Sequence, residues 1–108
     1  MVYTLEELTA RVAPIARKHG IRRVFLFGSY SRGEATEESD VDLLIDKEGV
    51  RAKGLQWGGI YEDFAEALEK EVDMLTTHIF ERLSKQPSAE QLTEKVRQEM
   101  RLLYAEQG

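Results

Sequence analysis

Two short apolar runs, residues 24–27 and 41–45, constrain the fold of this chain most strongly. They read VFLF and VDLLI, are rich in β-prone residues, and are each too short for a helix. Gly28 closes the first run, and a polar stretch fills the interval up to the second. We therefore predict two strands of one small sheet, with the first strand buried at its centre.

A helix is predicted before the first strand. Thr4 and Glu7 have the spacing of a capping box, and apolar residues then recur at helical intervals up to Gly20, which supplies a stop. Pro14 lies inside this pattern. We expect it to kink the helix or to divide it into two.

A loop, a helix and a third strand are predicted after the second strand. Residues 47–59 contain four glycines and three basic residues, which is typical of a loop. A helix with one apolar face should follow, and residues 72–76 should form the third strand. The apolar face consists of Trp57, Ile60, Phe64 and Leu68, and core packing is the expected role of the tryptophan.

The last predicted element is a helix opened by Pro87 and Ser88, with Ser88 and Gln91 as a second capping box. Its apolar stripe would be Leu92, Val96, Met100 and Leu103. The order helix, strand, strand, helix, strand, helix predicts an α+β fold. In this fold, helices flank one small mixed β-sheet, and residues 1–108 form a single domain.

Composition excludes several functional classes. The chain has no cysteine, so disulfides and thiolate metal sites are excluded, and a cytoplasmic location is expected. No apolar run is long enough for a membrane span. The formal net charge of −5 argues against extended nucleic-acid binding, although a local basic patch remains compatible with it.

The turn after the first strand is a candidate anion site. Gly28 permits a close backbone approach, the Ser29 hydroxyl can donate to a phosphate oxygen, and Arg32 adds positive charge before Gly33. Backbone N–H groups at a helix start also suit an anion. A plain helix cap is the alternative interpretation, and for this turn taken alone it is the favoured one.

Three carboxylates strengthen the first interpretation. Asp40 and Asp42 lie two residues apart, so on a strand they share a face at about 6.6 Å. Such a pair repels unless a cation lies between the carboxylates, and oxygen ligands select Mg²⁺ or Mn²⁺. Asp73 completes the set if the third strand neighbours the second. Strand ends facing water are the alternative.

Two other polar residues are expected to lie outside this site. Asp46 should point to the same face of the strand as Asp42, but it lies about 13 Å further along, too far to share a metal with Asp42. His19 should be a solvated residue at the end of the first helix.

Spacing also excludes three common ligand loops. Glu34 and Ala35 follow Gly33 where a Walker phosphate loop needs lysine and serine or threonine. An EF-hand that began at Asp40 would have Ile45 and Arg51 at its glycine and glutamate positions. A dinucleotide fingerprint lacks its middle glycine.

The pair Gly28-Ser29, ten intervening residues and Asp40-Val41-Asp42 together resemble the signature of the polymerase-beta-like nucleotidyltransferase superfamily. The string GSYSRGEATEESDVDLLID is similar to the minimal nucleotidyltransferases, which act as antitoxins beside HEPN toxins. The similarity extends to EVDMLT and to the closing LLYAEQG. Ser31 departs from the alanine that is common in the family, and a serine should fit there.

The resemblance implies a polymerase-beta-like fold and a division of roles within the site. Asp40, Asp42 and Asp73 would hold Mg²⁺, with two ions expected, and the turn from Gly28 to Gly33 would hold ATP. Transfer of AMP would need positioning and charge neutralisation rather than a nucleophilic side chain. Asp73 is the expected proton acceptor. The implied partner is a HEPN-type toxin, modified on a tyrosine hydroxyl.

Two other functions remain open from the sequence. One is a catalytically silent binding module that neutralises its partner by contact. The other is a small-molecule nucleotidyltransferase that needs a partner subunit, since about a hundred residues leave little surface to enclose a second substrate. The choice of nucleotide and a homo-oligomeric state are also left open.

Overall fold

The structure is a computed structural model that describes residues 2–106. Its helices are α1 (Leu5–Lys18), α2 (Gly28–Arg32), α3 (Gln56–Leu68), α4 (Thr77–Ser84) and α5 (Glu90–Glu99). Its strands are β1 (Arg23–Phe27), β2 (Val41–Ile45), β3 (Val72–Thr76) and β4 (Arg101–Ala105). A 3₁₀ turn at Pro87–Ala89 precedes α5.

The four strands form one mixed sheet in the order β3-β2-β1-β4. Strand β1 is antiparallel to both β2 and β4, and β2 is parallel to β3. Side chains alternate across the sheet, so one face packs on α1 and α3 and the other on α4 and α5. The predicted α+β class, with helices around a small mixed sheet, is confirmed.

The main core lies between the sheet and the pair α1 and α3. Its fully buried side chains include Leu8, Val12, Val24, Leu26, Leu43, Ile60 and Phe64. A smaller cluster of Leu44, Phe80 and Val96 lies on the opposite face. Burial on both faces explains why β1 and β2 are almost continuously apolar in sequence.

The predicted strands and the first helix start are confirmed. β2 and β3 have the expected bounds, and β1 lies inside the sheet. At the start of α1, the Glu7 N–H donates to Thr4 Oγ1 at 3.1 Å, and the Thr4 N–H donates to Glu7 Oε1 at 3.0 Å. This is the reciprocal capping that the spacing of Thr4 and Glu7 predicts.

Pro14 does not divide the first helix, so this expectation was wrong. The α1 helix is continuous from Leu5 to Lys18. Pro14 and Ala10 are both exposed, so the Ala10 carbonyl that loses its helical donor lies where water can hydrate it. The opposite face of α1 is buried against the sheet and holds the helix together.

The end of the chain corrects the prediction further. Residues 87–89 form a 3₁₀ turn, α5 starts at Glu90 without a side-chain cap, and the helix ends at Glu99. Leu103 belongs to β4, where its side chain is buried. Pairing with the free edge of β1 satisfies a whole row of backbone groups, and this tertiary gain outweighs the helical spacing of the apolar residues.

Two further boundaries differ from the prediction. The α4 helix was not predicted, because it follows β3 without an intervening loop; Thr76 caps it by accepting from the Ile79 N–H at 3.2 Å. The α3 helix starts at Gln56, inside the predicted loop, and Trp57 packs against the core as expected. Among residues 2–106, none of the helices has the length and apolar character to cross a membrane.

Candidate functional site

The carboxylates and the glycine turn lie together at the edge of the sheet where β2 and β3 begin and β1 ends. Strands β2 and β3 are parallel, so their first residues lie at the same edge, with Asp42 and Asp73 in register. Strand β1 is antiparallel to β2, so its last residue, Phe27, pairs with Asp42. Gly28 follows Phe27 directly and starts α2. Residues from three separate segments therefore meet at this edge.

Asp42 and Asp73 lie side by side, in register on the two neighbouring strands. Asp42 is half-buried and Asp73 is exposed. Burial is the main cause that raises the pKa of Asp42 from 3.8 to about 7, followed by the neighbouring Asp73 and by the negative charge of Asp40. Asp42 is therefore partly protonated near neutral pH.

Asp40 lies beside this pair without joining it. Its side chain is exposed just before β2, and its charge contributes to the raised pKa of Asp42. Within residues 2–106, no three acidic or histidine side chains converge closely enough to enclose a metal ion. The structure thus brings Asp42 and Asp73 together and leaves Asp40 at the rim.

The turn that leads to Asp40 is held by hydrogen bonds. Ser39 and Thr36 bond across it, with the Ser39 N–H donating to the Thr36 carbonyl at 3.0 Å and the Thr36 N–H to Ser39 Oγ at 2.8 Å. Lys70 Nζ donates to the Glu37 carbonyl at 2.7 Å and lies 3.5 Å from the Ser39 carbonyl. This turn fixes the direction from which the chain enters β2.

Gly28 lies directly against the carboxylate pair. Its φ is +75°, in the left-handed region that favours glycine. A Cβ at this position would lie 2.0 Å from Asp42 Oδ2 and 2.9 Å from Asp42 Cγ. Any side chain here would displace Asp42, so the glycine is required for the approach of the turn to the carboxylate.

Ser29 leaves its hydroxyl available to a ligand. The residue is partly exposed in the first turn of α2, and its hydroxyl has no hydrogen-bond partner among residues 2–106. It does not cap α2, since the residue at the cap position, Phe27, makes no side-chain bond there. The hydroxyl is free to donate to an anionic oxygen.

Arg32 and Gly33 end the turn. Gly33 has φ +72° and closes α2, with its N–H directed to the Ser29 and Tyr30 carbonyls. Arg32 Nε donates to Glu34 Oε2 and Arg32 Nη1 to Glu99 Oε2, each at 3.0 Å. These two hydrogen bonds raise the pKa of Arg32. Gly33 serves backbone geometry, while Arg32 is already engaged by two carboxylates.

Asp46 and His19 lie elsewhere in the fold. Asp46 is buried beyond the other end of β2 and forms an ion pair with Arg23 Nη2 at 2.8 Å, consistent with its expected exclusion from the site. His19 lies at the end of α1, as expected, but its side chain is only partly exposed and has a partner, contrary to the expectation of a solvated residue. Its Nε2 lies 2.7 Å from Asp63 Oδ2, and this contact joins the end of α1 to α3.

A family comparison agrees with this arrangement. The family described as the nucleotidyltransferase domain matches residues 11–101. This range includes β1, β2, β3, the first residue of β4 and the whole of the site. The chain belongs to this family. This nucleotidyltransferase therefore has its glycine turn and its two paired aspartates within the matched region.

Two curated relatives are named as enzymes of AMP transfer to protein. A Methanocaldococcus jannaschii protein, provisionally named a protein adenylyltransferase, is 39% identical over 72 residues, which are 67% of this chain and 76% of that protein. The protein adenylyltransferase MntA of Thermococcus cleftensis is 49% identical over 51 residues, or 44% of this chain and 52% of that protein.

Solved structures share the fold of this nucleotidyltransferase. A structure described as a minimal nucleotidyltransferase is 32% identical, with a TM-score of 0.64, and the match covers 92% of this chain and 95% of that one. A toxin-antitoxin with AMP-PNP has a TM-score of 0.65 at 21% identity, covering 92% and 74%. A tri-AMPylated Shewanella oneidensis HEPN toxin in complex with an MNT antitoxin gives 0.61 at 17%, covering 95% and 74%.

Three contacts around α2 were not predicted from the sequence. Ser31 Oγ donates to the Glu99 carbonyl, and Arg32 binds Glu34 and Glu99. Glu34 lies two residues from Arg32, so the opposite charges at close spacing gave a usable signal. Glu99 is 67 residues away from Arg32, and no local pattern in the sequence links the two.

Proposed function

We propose that this chain transfers AMP from ATP to a tyrosine hydroxyl of a HEPN-type toxin, and that it thereby acts as the antitoxin. One observation carries the proposal: Asp42 and Asp73 form a carboxylate pair, in register on β2 and β3, directly beside Gly28 and Ser29. A protein that only binds its partner has no physical reason to keep two repelling carboxylates beside a turn that can accept an anion.

The donor set fits Mg²⁺, and two ions would be held by Asp40, Asp42 and Asp73. Mg²⁺ prefers oxygen ligands and is usually bound by one or two carboxylates together with substrate phosphates and water. Asp42 and Asp73 provide such a pair, and Asp40 lies at the rim. When bound, Mg²⁺ would neutralise charge on the phosphates and on the attacking and leaving oxygens.

The turn would bind the triphosphate. Ser29 has an unpaired hydroxyl for a phosphate oxygen, Gly28 allows close approach of the backbone, and Arg32 supplies positive charge beside the carboxylates. A hydrogen bond from a neutral hydroxyl to a charged phosphate is stronger than one between neutral groups. These contacts would orient the α-phosphate at the edge where Asp42 and Asp73 lie.

The transfer itself would need no nucleophilic side chain of this protein. The acceptor oxygen forms a bond to the α-phosphorus, the bond between that phosphorus and the α–β bridging oxygen breaks, and pyrophosphate leaves. Asp73 is the more exposed of the paired carboxylates and would take the hydroxyl proton. The chain has no cysteine, and neither histidine is part of the site.

The acceptor is proposed to be a protein. The edge that carries the site is open and the chain has a net charge of −5, which favours a partner with a basic face over a nucleic-acid strand. The relatives named as protein adenylyltransferases, and the AMPylated HEPN toxin bound to an MNT antitoxin, support a toxin as that partner. An added AMP would obstruct an RNA-binding surface on the toxin by charge and by volume.

Co-expression with a HEPN-type protein encoded beside this chain tests the proposal. The intact mass of that partner should increase by one or more AMP units, and peptide mapping should locate the addition on a tyrosine. Titration of the purified chain with ATP and with GTP, each with and without Mg²⁺, should show binding that requires the metal and prefers ATP.

Asp42→Asn and Glu71→Gln form a matched pair for this experiment. Each replaces one carboxyl group near β3 by the corresponding amide, but the Glu71 side chain is exposed and outside the carboxylate pair. The mass gain should vanish with Asp42→Asn and persist with Glu71→Gln. A partner that is inhibited but unmodified would overturn AMP transfer and favour inhibition by contact.

A further inference from the structure

Glu99 connects the end of α5 to the turn that starts at Gly28. It is the last residue of α5, and its side chain is 17% exposed. Its backbone carbonyl accepts a hydrogen bond from Ser31 Oγ, and its carboxylate accepts one from Arg32 Nη1 at 3.0 Å. Two consecutive residues of α2 are therefore bound to one residue at the other end of the sequence.

The short α2 helix depends on such external contacts. It has five residues and no side-chain cap at its start. A helix of this length has little stability of its own, so its neighbours decide where its side chains lie. Ser31 is buried, and its hydroxyl donates to the Glu99 carbonyl at the end of α5, where helix carbonyls lack an intrahelical donor. This hydrogen bond joins the two helices.

The contacts of Arg32 define how its guanidinium is oriented. Nε bonds to Glu34 and Nη1 bonds to Glu99, so two carboxylates hold the planar group from two different directions. A guanidinium has five N–H donors in a fixed plane, and these two hydrogen bonds use two of them. The two carboxylates thus fix the plane of Arg32, and a ligand can approach the remaining donors.

We propose that Glu99 is a positioning residue for the triphosphate of ATP, because it holds Arg32 in the orientation that offers its remaining N–H donors to a phosphate oxygen. This inference rests on the proposed function. Glu34 alone, at 66% side-chain exposure, would leave the guanidinium able to rotate about the remaining bond. The positive charge of Arg32 already acts on Asp42, so the guanidinium lies within range of the carboxylate pair.

A purely electrostatic role for Glu99 makes the opposite prediction. A carboxylate near a triphosphate repels it, so removing Glu99 would then strengthen ATP binding. If orientation dominates, removal of the side chain releases Arg32 and weakens binding. The sign of the change in affinity therefore separates the two roles.

Titration with ATP and Mg²⁺ across a set of Glu99 and Arg32 variants tests the proposal. Glu99→Ala should weaken ATP binding by about tenfold, as expected for an oriented charge-assisted hydrogen bond that is lost. Glu99→Gln keeps an acceptor oxygen of the same reach, so it should recover affinity to within about threefold of the parent. In turnover measurements, KM for ATP should rise with Glu99→Ala while kcat at saturating ATP is kept.

The Arg32→Ala background shows whether Glu99 acts through Arg32. Once Arg32 is absent, adding Glu99→Ala should change ATP affinity by less than about twofold. Glu94→Ala is the matched control, since it removes an exposed carboxylate of α5 that contacts Gln98 and not Arg32. It should leave the affinity for ATP within about twofold of the parent.

Several outcomes would overturn the proposal. Unchanged or tighter ATP binding by Glu99→Ala would do so. The same would hold if Glu99→Ala lowered ATP affinity equally in the parent and in the Arg32→Ala background. Failure of Glu99→Gln to recover affinity, when circular dichroism shows it folded, would also count against it. A parent chain that binds no ATP would instead overturn the proposed function itself and this inference with it.

Discussion

Asp42 and Asp73 occupy the same register position on the parallel strands β2 and β3, and the nearby Asp73 contributes to the raised pKa of Asp42. A strand pairing that puts two acids side by side raises the cost of ionising both. The two acids nevertheless lie together here, at the position where Gly28 lies against the Asp42 carboxylate. Stability and ligand binding should therefore oppose each other at this pair.

The first prediction concerns stability as a function of pH in metal-free protein. The pKa of Asp42 is raised from 3.8 to about 7, mainly by burial. The stability that comes from its protonated form is complete below about pH 3.8, and it is lost as the pH rises through about 7. Asp42→Asn cannot ionise and avoids this loss. Urea unfolding should therefore show the variant gaining on the parent between these pH values, with a constant difference above them.

Mg²⁺ provides the control for this prediction. A cation at the pair would favour the ionised carboxylates, so it should stabilise the parent at pH 8 and leave Asp42→Asn much less affected. A parent and variant whose free energies of unfolding keep the same difference from pH 4 to pH 8 would show that Asp42 ionises without cost, contrary to the geometry.

The second prediction concerns Ser29. Its hydroxyl has no partner among residues 2–106, so Ser29→Ala should have little effect on the free energy of unfolding. Loss of a hydrogen bond to a charged phosphate should weaken ATP binding by about 1.5–3 kcal/mol, or roughly ten- to a hundredfold in Kd. Titration calorimetry measures the affinity, and Ser29→Thr, which keeps a hydroxyl, is the matched control. Equal affinities for all three chains would exclude a contact from Ser29 to the nucleotide.

The central elements of this fold were predictable because their signals are local. The apolar runs VFLF and VDLLI, and the run that contains Asp73, each fit a short buried strand, and all three were confirmed. The two carboxylates that the structure pairs, Asp42 and Asp73, were predicted as neighbours only if β3 lay beside β2. That order is set by the parallel pairing of these strands and not by either segment alone.

The C-terminal region could not be predicted for a physical reason. Leu103 fits a helical stripe, but pairing with β1 stabilises this segment as a strand. The same long-range packing brings Glu99 to Arg32, a contact between residues with no pattern in common. Local propensity predicts an element correctly where tertiary packing favours the same structure. It fails where the unpaired backbone groups of a strand, here β1, need a partner strand.

The third prediction concerns Lys70, which donates to the Glu37 carbonyl at 2.7 Å and so holds the turn before Asp40. Lys70→Met keeps much of the side-chain volume and removes the donor. Amide hydrogen exchange at residues 36–40 should become faster, while the free energy of unfolding falls by only about 0.5–1.5 kcal/mol. Lys53→Met, in the exposed loop before α3, is the control for loss of charge. If both variants give the same exchange, Lys70 does not hold the turn.

The fourth prediction compares Gly28 with Gly33. Both glycines are in the left-handed region, at φ +75° and φ +72°, so alanine should cost each of them about 1–2 kcal/mol for conformation alone. Nothing lies within 4 Å of a Cβ added at Gly33, whereas one added at Gly28 would lie 2.0 Å from Asp42 Oδ2. Gly33→Ala therefore measures the backbone cost, and Gly28→Ala should exceed it in urea unfolding.

The excess should depend on the Asp42 side chain, which a double variant can establish. Truncation by Asp42→Ala removes Oδ2 and Cγ and leaves only Cβ, at 3.3 Å, near the new methyl group. The excess cost of Gly28→Ala over Gly33→Ala should then become much smaller in the same Asp42→Ala background, because the two shortest contacts of the new methyl group are gone. A cost that persists unchanged would mean that the clash is relieved elsewhere. In that case Gly28 would not be the residue that allows the turn to lie against the carboxylate pair.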